Sequence, residues 1–527
     1  MKKSALSIMI MVIMISMNSF AQKTWTGTTS TAWNVSSNWS PSGIPAASDN
    51  VTIPSSPANQ PLISGITSAV CKNLTVDSGA TLSIKGTSSN SALLTVTGTA
   101  TFNGELSIGG YGISPSITGK LAALNVVWNS TSSIEPFYGA RCEVSGNWTF
   151  ASGSAINLGL CSLTFTGSSS SNIYNYSNTS SFNSVTLSKT GGATVYISAS
   201  SSATMNINGT LNIGSGSVFN GASSITTILK GNLINSGNIY LNSGTLNLEK
   251  TSGTQDIQIN TNDYFNSVVI NTGGTVTLST SYLMQLKGSM TIQAGVLDPQ
   301  NNTIALFGNW TNAVGPDAFV QGTGRVIFNG GNYHQYSSDE TFSTLEVNKS
   351  AGGALRMNGT DVTCSKYDWT AGAIDVLNNG TFTVSNQLLD NGIAGNFYLN
   401  SGCTINLTNL TGNIDLKGNL YIYGGNFIVY GGVNPCWWPA GGNASITMSG
   451  GILDFMDQGM LIKTDATYSF SHNITGGTIR TAGNFACTRS DFNPTAGTIE
   501  LYGPSACYLI PSSGSLFNVE IDKTSVP

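Results

Sequence analysis

Short alternations of apolar and polar residues recur along the chain, each ending in a turn rich in Asn, Asp, Ser, Lys, Thr and Gly. The clearest recurring phrase is an apolar-x-apolar pair followed by such a turn. Its copies begin at Asn73, Asn183, Asn266, Ser343 and Asn518. From the second copy onward the spacing is roughly 80 residues or about twice that. Self-similarity at a fixed period predicts a repeat architecture.

The repeat continues beyond this phrase into further alternations that follow a glycine turn, as in 79–84 and 192–197. Alternation of period two indicates strands. Glycine accounts for 61 of the 527 residues, and each glycine costs a helix interior about 1 kcal/mol. We therefore predict an all-β protein built from many short strands.

Dense short strands fit either a β-sandwich or a solenoid. Strand starts recur at short, fairly even intervals, as from Val195 to Leu211 and from Val276 to Met290. The chain also lacks the Cys…Trp…Cys core pattern of immunoglobulin-like sandwiches. We favour a right-handed parallel β-helix, in which each strand bonds to its equivalents about 4.8 Å above and below. Inward Val, Ile, Leu and Phe residues would then stack as ladders.

Three regions are predicted along the chain. Residues 1–21 combine two lysines, an apolar run and the small-x-small ending Ser19-Phe20-Ala21, which is typical of a secretory signal. Residues 22–60 form an N-terminal cap, and residues 61–527 form the β-helix. Because the last copy of the phrase stops before its second strand, we expect a solenoid that is truncated at the C-terminus.

The proposed cap is rich in tryptophan, with Trp25, Trp33 and Trp39 close together. The first coil of a solenoid needs a cover because its apolar rungs and strand edge are otherwise exposed. The alternative is a tryptophan platform that stacks on sugar rings.

Composition narrows the classes of partner. Charged residues make up 9% of the chain, the net charge is −5 and the pI is near 5.0. No basic stripe is present to neutralise a phosphate backbone, so we expect no nucleic acid partner. Beyond the signal, no apolar run reaches the ~18 residues of a transmembrane helix, so none is expected.

The eight cysteines all follow residue 21, which permits disulfides in an exported protein. Cys142 and Cys161, and likewise Cys487 and Cys507, are separated by about one coil, so stacked neighbours are candidate disulfides. The alternative is that these cysteines are small buried residues of an inward ladder. No CxxC or His-rich spacing indicates a metal site, and no cofactor is predicted.

The signal, the Trp-rich opening through Asn50-Val51 and the repeated apolar phrases together resemble a known group. The chain is similar to the secreted β-helical repeat proteins of Bacteroidetes, which are adhesin-like or autotransporter-like and include cargo of the type nine secretion system. The resemblance implies export and a secreted or cell-surface location outside the outer membrane. Members commonly end in a sorting domain, and nothing in this sequence matches one.

Candidate binding residues cluster in 415–440, where the repeat is irregular. Tyr421 and Tyr423 share one face of a strand, where they would stack on carbohydrate if exposed or belong to the core if buried. Trp437 and Trp438 are flanked by proline and are interpreted as a loop over the solenoid, or else as part of the same sugar platform.

Candidate catalytic residues are sparse. Asp454 and Asp457 form the best acidic pair, but their spacing places them on opposite faces of a continuous strand. His334 is interpreted as a solvated residue of a turn. The first hypothesis is an exported, noncatalytic adhesin whose partners are glycans, cell surfaces or extracellular matrix. The alternative is a polysaccharide-active lyase or glycoside hydrolase, or its carbohydrate-binding accessory, with Asp454 and Asp457 as acids.

Overall fold

The computed structural model confirms the all-β expectation, with 57% of residues in strands that form a parallel β-solenoid. The chain divides into two compact units, unit 1 (Met1–Gly244) and unit 2 (Thr245–Pro527). The predicted signal segment 1–21 lies outside the described residues. The structure describes 22–112, 116–154, 156–176, 181–199, 204–221, 225–350, 352–390, 395–411, 418–431, 436–438, 443–464, 467–511 and 514–524.

Unit 1 contains the strands β1 to β24 in chain order. They are Gln22–Trp25, Trp39–Ser40, Asn50–Ile53, Leu62–Ser64, Ala69–Cys71, Asn73–Val76, Thr81–Lys85, Ala92–Phe102, Glu105–Gly109, Gly119–Trp128, Ser133–Pro136, Ala140–Val144, Trp148–Phe150, Ser162–Gly167, Ser171–Asn175, Ser181–Phe182, Val185–Lys189, Ala193–Ala199, Thr204–Ile207, Leu211–Ile213, Ser217–Gly221, Thr226–Leu229, Leu233–Asn235 and Asn238–Leu241. A 3₁₀ turn covers Ser36–Asn38.

Unit 2 contains the strands β25 to β53 in chain order. They are Thr245–Leu248, Thr254–Ile257, Tyr264–Phe265, Ser267–Leu278, Met284–Leu286, Met290–Asp298, Ile304–Leu306, Trp310–Asn312, Arg325–Gly330, His334–Tyr336, Glu340–Lys349, Ala354–Asn358, Asp361–Ala371, Ala373–Leu377, Thr381–Asp390, Asn396–Leu399, Thr404–Leu410, Gly418–Ile422, Asn426–Gly431, Cys436–Trp438, Ala444–Met448, Ile452–Asp454, Met460–Ile462, Phe470–Ile474, Thr478–Thr481, Phe485–Cys487, Thr498–Tyr502, Leu509–Pro511 and Asn518–Asp522. A 3₁₀ turn covers Pro316–Ala318.

The Trp-rich N-terminus buries its tryptophans at the start of unit 1. Strand Gln22–Trp25 pairs in parallel with Asn50–Ile53, and its Trp25 pairs antiparallel with Trp39. The Trp25 and Trp39 rings lie 4.9 Å apart and the Trp33 and Trp39 rings 4.7 Å apart, both edge to face. All three side chains are at most 3% exposed. The rings are therefore core, and the alternative of a sugar platform formed by them is wrong.

Inward ladders hold the coils of unit 1 together. One ladder runs through Cys142, Leu163, Val185, Leu211 and Leu233, each in parallel register with the next. Every member is at most 1% exposed. Each buried side chain of this size stabilises the fold by about 1.5–3 kcal/mol relative to exposure, so the stacking predicted from the sequence is the main source of stability.

The same arrangement holds in unit 2, where the repeated phrase builds one sheet. Strand Ser267–Leu278 contains Val268, and strand Glu340–Lys349 contains Leu345; both anchor residues are fully buried. Unit 2 also contains a separate parallel sheet of seven strands, here called the seven-stranded sheet. Its strands are β34, β36, β38, β40, β42, β45 and β48.

Candidate functional site

The outer face of the seven-stranded sheet carries an unusual column of side chains. Inward positions are apolar and buried, as at Leu355, Ile374 and Phe397. Since successive strand residues face opposite sides, the next position in each strand points outward. In register, this outer column reads Tyr336, Arg356, Asp375, Tyr398, Tyr421 and Thr447.

Left-handed glycines start two of these strands. Gly352 and Gly372 both have a φ of +87°, a backbone conformation that residues with a side chain rarely adopt. A Cβ on Gly372 would lie 2.8 Å from the Cβ of Lys349, so the turn also needs the absence of a side chain. These turns bring the chain into the sheet at Ala354 and Ala373.

Three tyrosines form a stacked series on this face. The Tyr398 and Tyr421 rings are nearly parallel, at 10°, with centroids 4.5 Å apart. Tyr421 and Tyr423 lie 6.5 Å apart at 25°. Tyr423 is 48% exposed, while Tyr398 and Tyr421 are half-buried. Offset stacking stabilises such pairs by about 0.5–1.5 kcal/mol beyond burial, so the rings form a preorganised aromatic surface.

An ion pair adjoins the tyrosines. The Arg356 guanidinium donates from Nε to Oδ2 of Asp375 at 2.8 Å and also interacts with the Tyr336 hydroxyl. The other oxygen of Asp375 accepts a long hydrogen bond of 3.5 Å from the Asn400 amide. Asp375 is only 7% exposed. Asp375 thus points outward from the sheet but is nearly covered by its neighbours, and its Oδ1 makes only a long hydrogen bond with Asn400 among the described residues. This oxygen can accept a hydrogen bond from a ligand hydroxyl.

A cavity of about 330 Å³ lies against these residues, and we call it the tyrosine groove. Its volume falls at the lower end of the ~300–1,000 Å³ common for ligand pockets. Ala354 and Ala373 are both outward-facing, and their short side chains leave the space that larger residues would fill. The other lining residues include His334, Arg356, Asp375, Tyr398, Asn400 and Tyr423.

His334 stands at one end of the tyrosine groove. Partial burial lowers the pKa of His334 below its ordinary value of 6.5, the positive charges of Arg356 and Lys349 lower it further, and Asp375 opposes them. The imidazole is therefore neutral at neutral pH and can both donate and accept a hydrogen bond. Contrary to the sequence interpretation, this residue lies on strand His334–Tyr336 and not in a turn, although it is exposed.

A second outer column beside the tyrosines is polar. The Asn419 amide donates to Oδ1 of Asn396 at 2.7 Å, and the Ser445 hydroxyl donates to Oδ1 of Asn419 at 2.6 Å. These bonds link strands of successive coils and fix the amide orientations beside the groove.

The tyrosines predicted from the sequence lie on the outer face, but the tryptophans do not join them there. Tyr421 and Tyr423 contribute to the stacked series. The Cys436–Trp438 backbone, which contains Trp437 and Trp438, forms a strand and not the predicted loop, and it belongs to a different sheet, paired with Met460–Ile462. The side chains of this strand lie outside what the structure describes.

The acidic pair is occupied by structural contacts. Asp454 is 1% exposed and accepts hydrogen bonds from Arg480 Nε, the Tyr502 hydroxyl and the Met456 backbone, each at 2.9 Å. Asp457 is exposed in the following turn. Neither carboxylate lines the tyrosine groove, so the arrangement gives no support to a paired catalytic role.

The two candidate disulfide pairs differ. Cys142 and Cys161 are buried thiols with Sγ atoms 3.5 Å apart. The pKa of Cys161 is raised, chiefly because of the hydrogen bond between the two thiols. Cys487 stands in register with Pro511, not with Cys507. The predicted stacking of Cys487 on Cys507 is therefore wrong, because the turn between the strands displaces Cys507 along the chain.

The described residues contain no group of three or more His, Cys, Asp or Glu side chains placed to hold a metal ion. Among the same residues, no helix has the length and hydropathy needed to span a bilayer.

Comparison with known proteins yields one partial match. Residues 24–110 match a family model described as a domain of unknown function, DUF8693. This segment covers the Trp-rich end and the first coils of unit 1, and it does not include the tyrosine groove. Curated proteins and solved structures gave no match.

Proposed function

We propose that the protein is an exported, noncatalytic, adhesin-like protein that binds glycans through the outer face of the seven-stranded sheet. The observation that carries this proposal is the stacked series Tyr398, Tyr421 and Tyr423 beside a cavity that also holds Arg356 and Asp375. Aromatic rings offer flat apolar area to the C–H faces of sugars, while the charged pair offers hydrogen bonds to hydroxyls.

Several features support binding over catalysis. The described part of the tyrosine groove has one carboxylate in its lining, whereas most glycosidases use two. That carboxylate, Asp375, is held in an ion pair with Arg356. Asp454 is likewise paired, so the enzymatic alternative has less support. The proposed location, secreted or at the cell surface, rests on the signal sequence and on the resemblance to secreted β-helical proteins.

Affinity electrophoresis of the mature protein in gels that contain soluble polysaccharides tests the proposal. We expect retardation by at least one polysaccharide, and its loss in the triple variant Tyr398→Ala, Tyr421→Ala, Tyr423→Ala. A matched control replaces three exposed tyrosines elsewhere, Tyr196, Tyr282 and Tyr430, and should be retarded like the wild type.

The outcomes separate the alternatives. If both triple variants lost retardation equally, a specific role for this face would be contradicted. The same conclusion would follow if no polysaccharide retarded the wild type. A fall in the degree of polymerisation of the polysaccharide during incubation would instead favour the enzymatic alternative.

A further inference from the structure

The charge of the tyrosine groove restricts what it can hold. Among the described lining residues there is one cation, Arg356, and one anion, Asp375, which neutralise each other in the ion pair. The third titratable group of note, His334, is neutral at neutral pH because burial and the nearby positive charges disfavour its protonation. Lys349, whose positive charge also reaches His334, lies outside the lining, where its Nζ donates to Gln335. A carboxylate or sulfate ligand would therefore meet no net positive charge on the lining side chains and would approach Asp375 directly.

The ion pair offers a matched set of donors and acceptors. Arg356 has five N–H donors in a planar fork. Its Nε is bonded to Asp375, and the guanidinium is also hydrogen-bonded to the Tyr336 hydroxyl, which leaves further N–H donors for a ligand. Among the residues that the structure describes, Asp375 Oδ1 accepts a long hydrogen bond of 3.5 Å from the Asn400 amide. The Asp375 carboxylate is an acceptor and the adjacent Arg356 guanidinium is a donor. Together they complement two neighbouring sugar hydroxyls, since a hydroxyl can both donate and accept a hydrogen bond. The Tyr398 ring lines the same cavity and gives the ring of the ligand an apolar surface.

We propose that the tyrosine groove is selective for neutral sugar units, with two adjacent hydroxyls bonded to Asp375 and Arg356 and the pyranose ring against Tyr398. This inference rests on the proposed function and deepens it, since it names the class of glycan. Tyr423 lines the same cavity, and Tyr421 extends the aromatic surface beyond it. A chain of several sugar units therefore gains contacts that a monosaccharide lacks.

Isothermal titration of the mature protein with a panel of neutral oligosaccharides (gluco-, manno-, galacto- and xylo-hexaoses) and with hexagalacturonate tests the selectivity. We expect at least one neutral hexaose to bind at least ten times more tightly than hexagalacturonate. Asp375→Asn should weaken neutral binding roughly tenfold, because hydrogen bonds to a charged group are about twice as strong as neutral ones. Tyr430→Ala, outside the groove, is the matched control and should bind as the wild type does.

The results distinguish this inference from the broader proposal. Tighter binding of hexagalacturonate that is lost in Tyr398→Ala would overturn the neutral selectivity and leave glycan binding by this face intact. Binding unchanged in both Tyr398→Ala and Asp375→Asn would overturn the inference, as would the absence of binding by every oligosaccharide. The circular dichroism spectrum and melting temperature of each variant separate a lost contact from a lost fold.

Discussion

The buried carboxyl of Glu340 makes the stability of unit 2 depend on pH in an unusual direction. Glu340 is 1% exposed, and its carboxyl accepts hydrogen bonds from Trp310 Nε1 at 2.8 Å, from Asn312 Nδ2 at 2.9 Å and from the Thr341 backbone at 3.0 Å. Burial raises the pKa of Glu340 from 4.5 to about 7, although these three donors act in the opposite direction. Between about pH 4.5 and about pH 7, the folded state therefore keeps a proton on Glu340 that the unfolded chain releases.

The sign of the pH dependence follows from this difference in bound protons. Below about pH 4.5 both states are protonated, and this carboxyl costs no electrostatic stability. Between about pH 4.5 and about pH 7 the folded state binds more protons than the unfolded state, so the free energy of unfolding falls as pH rises. One pKa unit corresponds to about 1.4 kcal/mol, so the loss attributable to Glu340 approaches roughly 3 kcal/mol above pH 7.

Glu340→Gln removes the titration while keeping the side chain close in size. As pH rises from about 4.5 to about 7, we expect the urea midpoint of the wild type to fall relative to that of Glu340→Gln, because only the wild type must give up a proton. Asp457→Asn, at an exposed carboxylate, is the control and should show no comparable trend. A difference in urea midpoint that stays constant over this pH range for Glu340→Gln would show that the Glu340 carboxyl does not titrate differently in the folded and unfolded states.

Three further perturbations test other parts of the structure. Trp39→Ala empties the centre of the Trp25, Trp33 and Trp39 cluster and should destabilise the protein by about 3–5 kcal/mol in urea unfolding; a change below about 1 kcal/mol would mean that this cluster contributes little stability. Oxidative refolding should link Cys142 to Cys161, as seen by non-reducing peptide mapping, and a link from Cys487 to Cys507 instead would contradict the strand register. Asp454→Ala should cost about 1–3 kcal/mol through the lost charged hydrogen bonds, and an unchanged urea midpoint would show that these contacts contribute nothing.

The sequence predicted the solenoid because its repeat is local. An alternating strand followed by a glycine turn can be recognised within ten residues, and each copy then stacks on the next. The inward ladder Cys142, Leu163, Val185 shows the result, since every member is apolar and buried. Tyr421 and Tyr423 were found in the same way, because they occupy alternate positions in one apolar strand.

The groove was missed because its residues come from different coils. Arg356 and Asp375 meet only through the register of two strands, and that register depends on turn lengths that alternation does not specify. His334 was misplaced for another reason: the inward position beside it is Gln335, fully buried and bonded to Lys349 at 2.6 Å. A polar residue at an inward position hides the period-two pattern of a strand.

Turn length also explains the error at the second cysteine pair. A separation of about one coil implies stacking only if the intervening turns are of ordinary length. Cys487 lies opposite Pro511, so the turn that contains Cys507 precedes the matching strand.

A crystal structure of the protein with the tightest-binding neutral oligosaccharide would show whether the tyrosine groove holds neutral sugar units. We expect one sugar ring against Tyr398, two adjacent hydroxyls within hydrogen-bonding distance of Asp375 and Arg356, and further units over Tyr421 and Tyr423. An oligosaccharide bound on another sheet, with the tyrosine groove empty, would contradict this expectation.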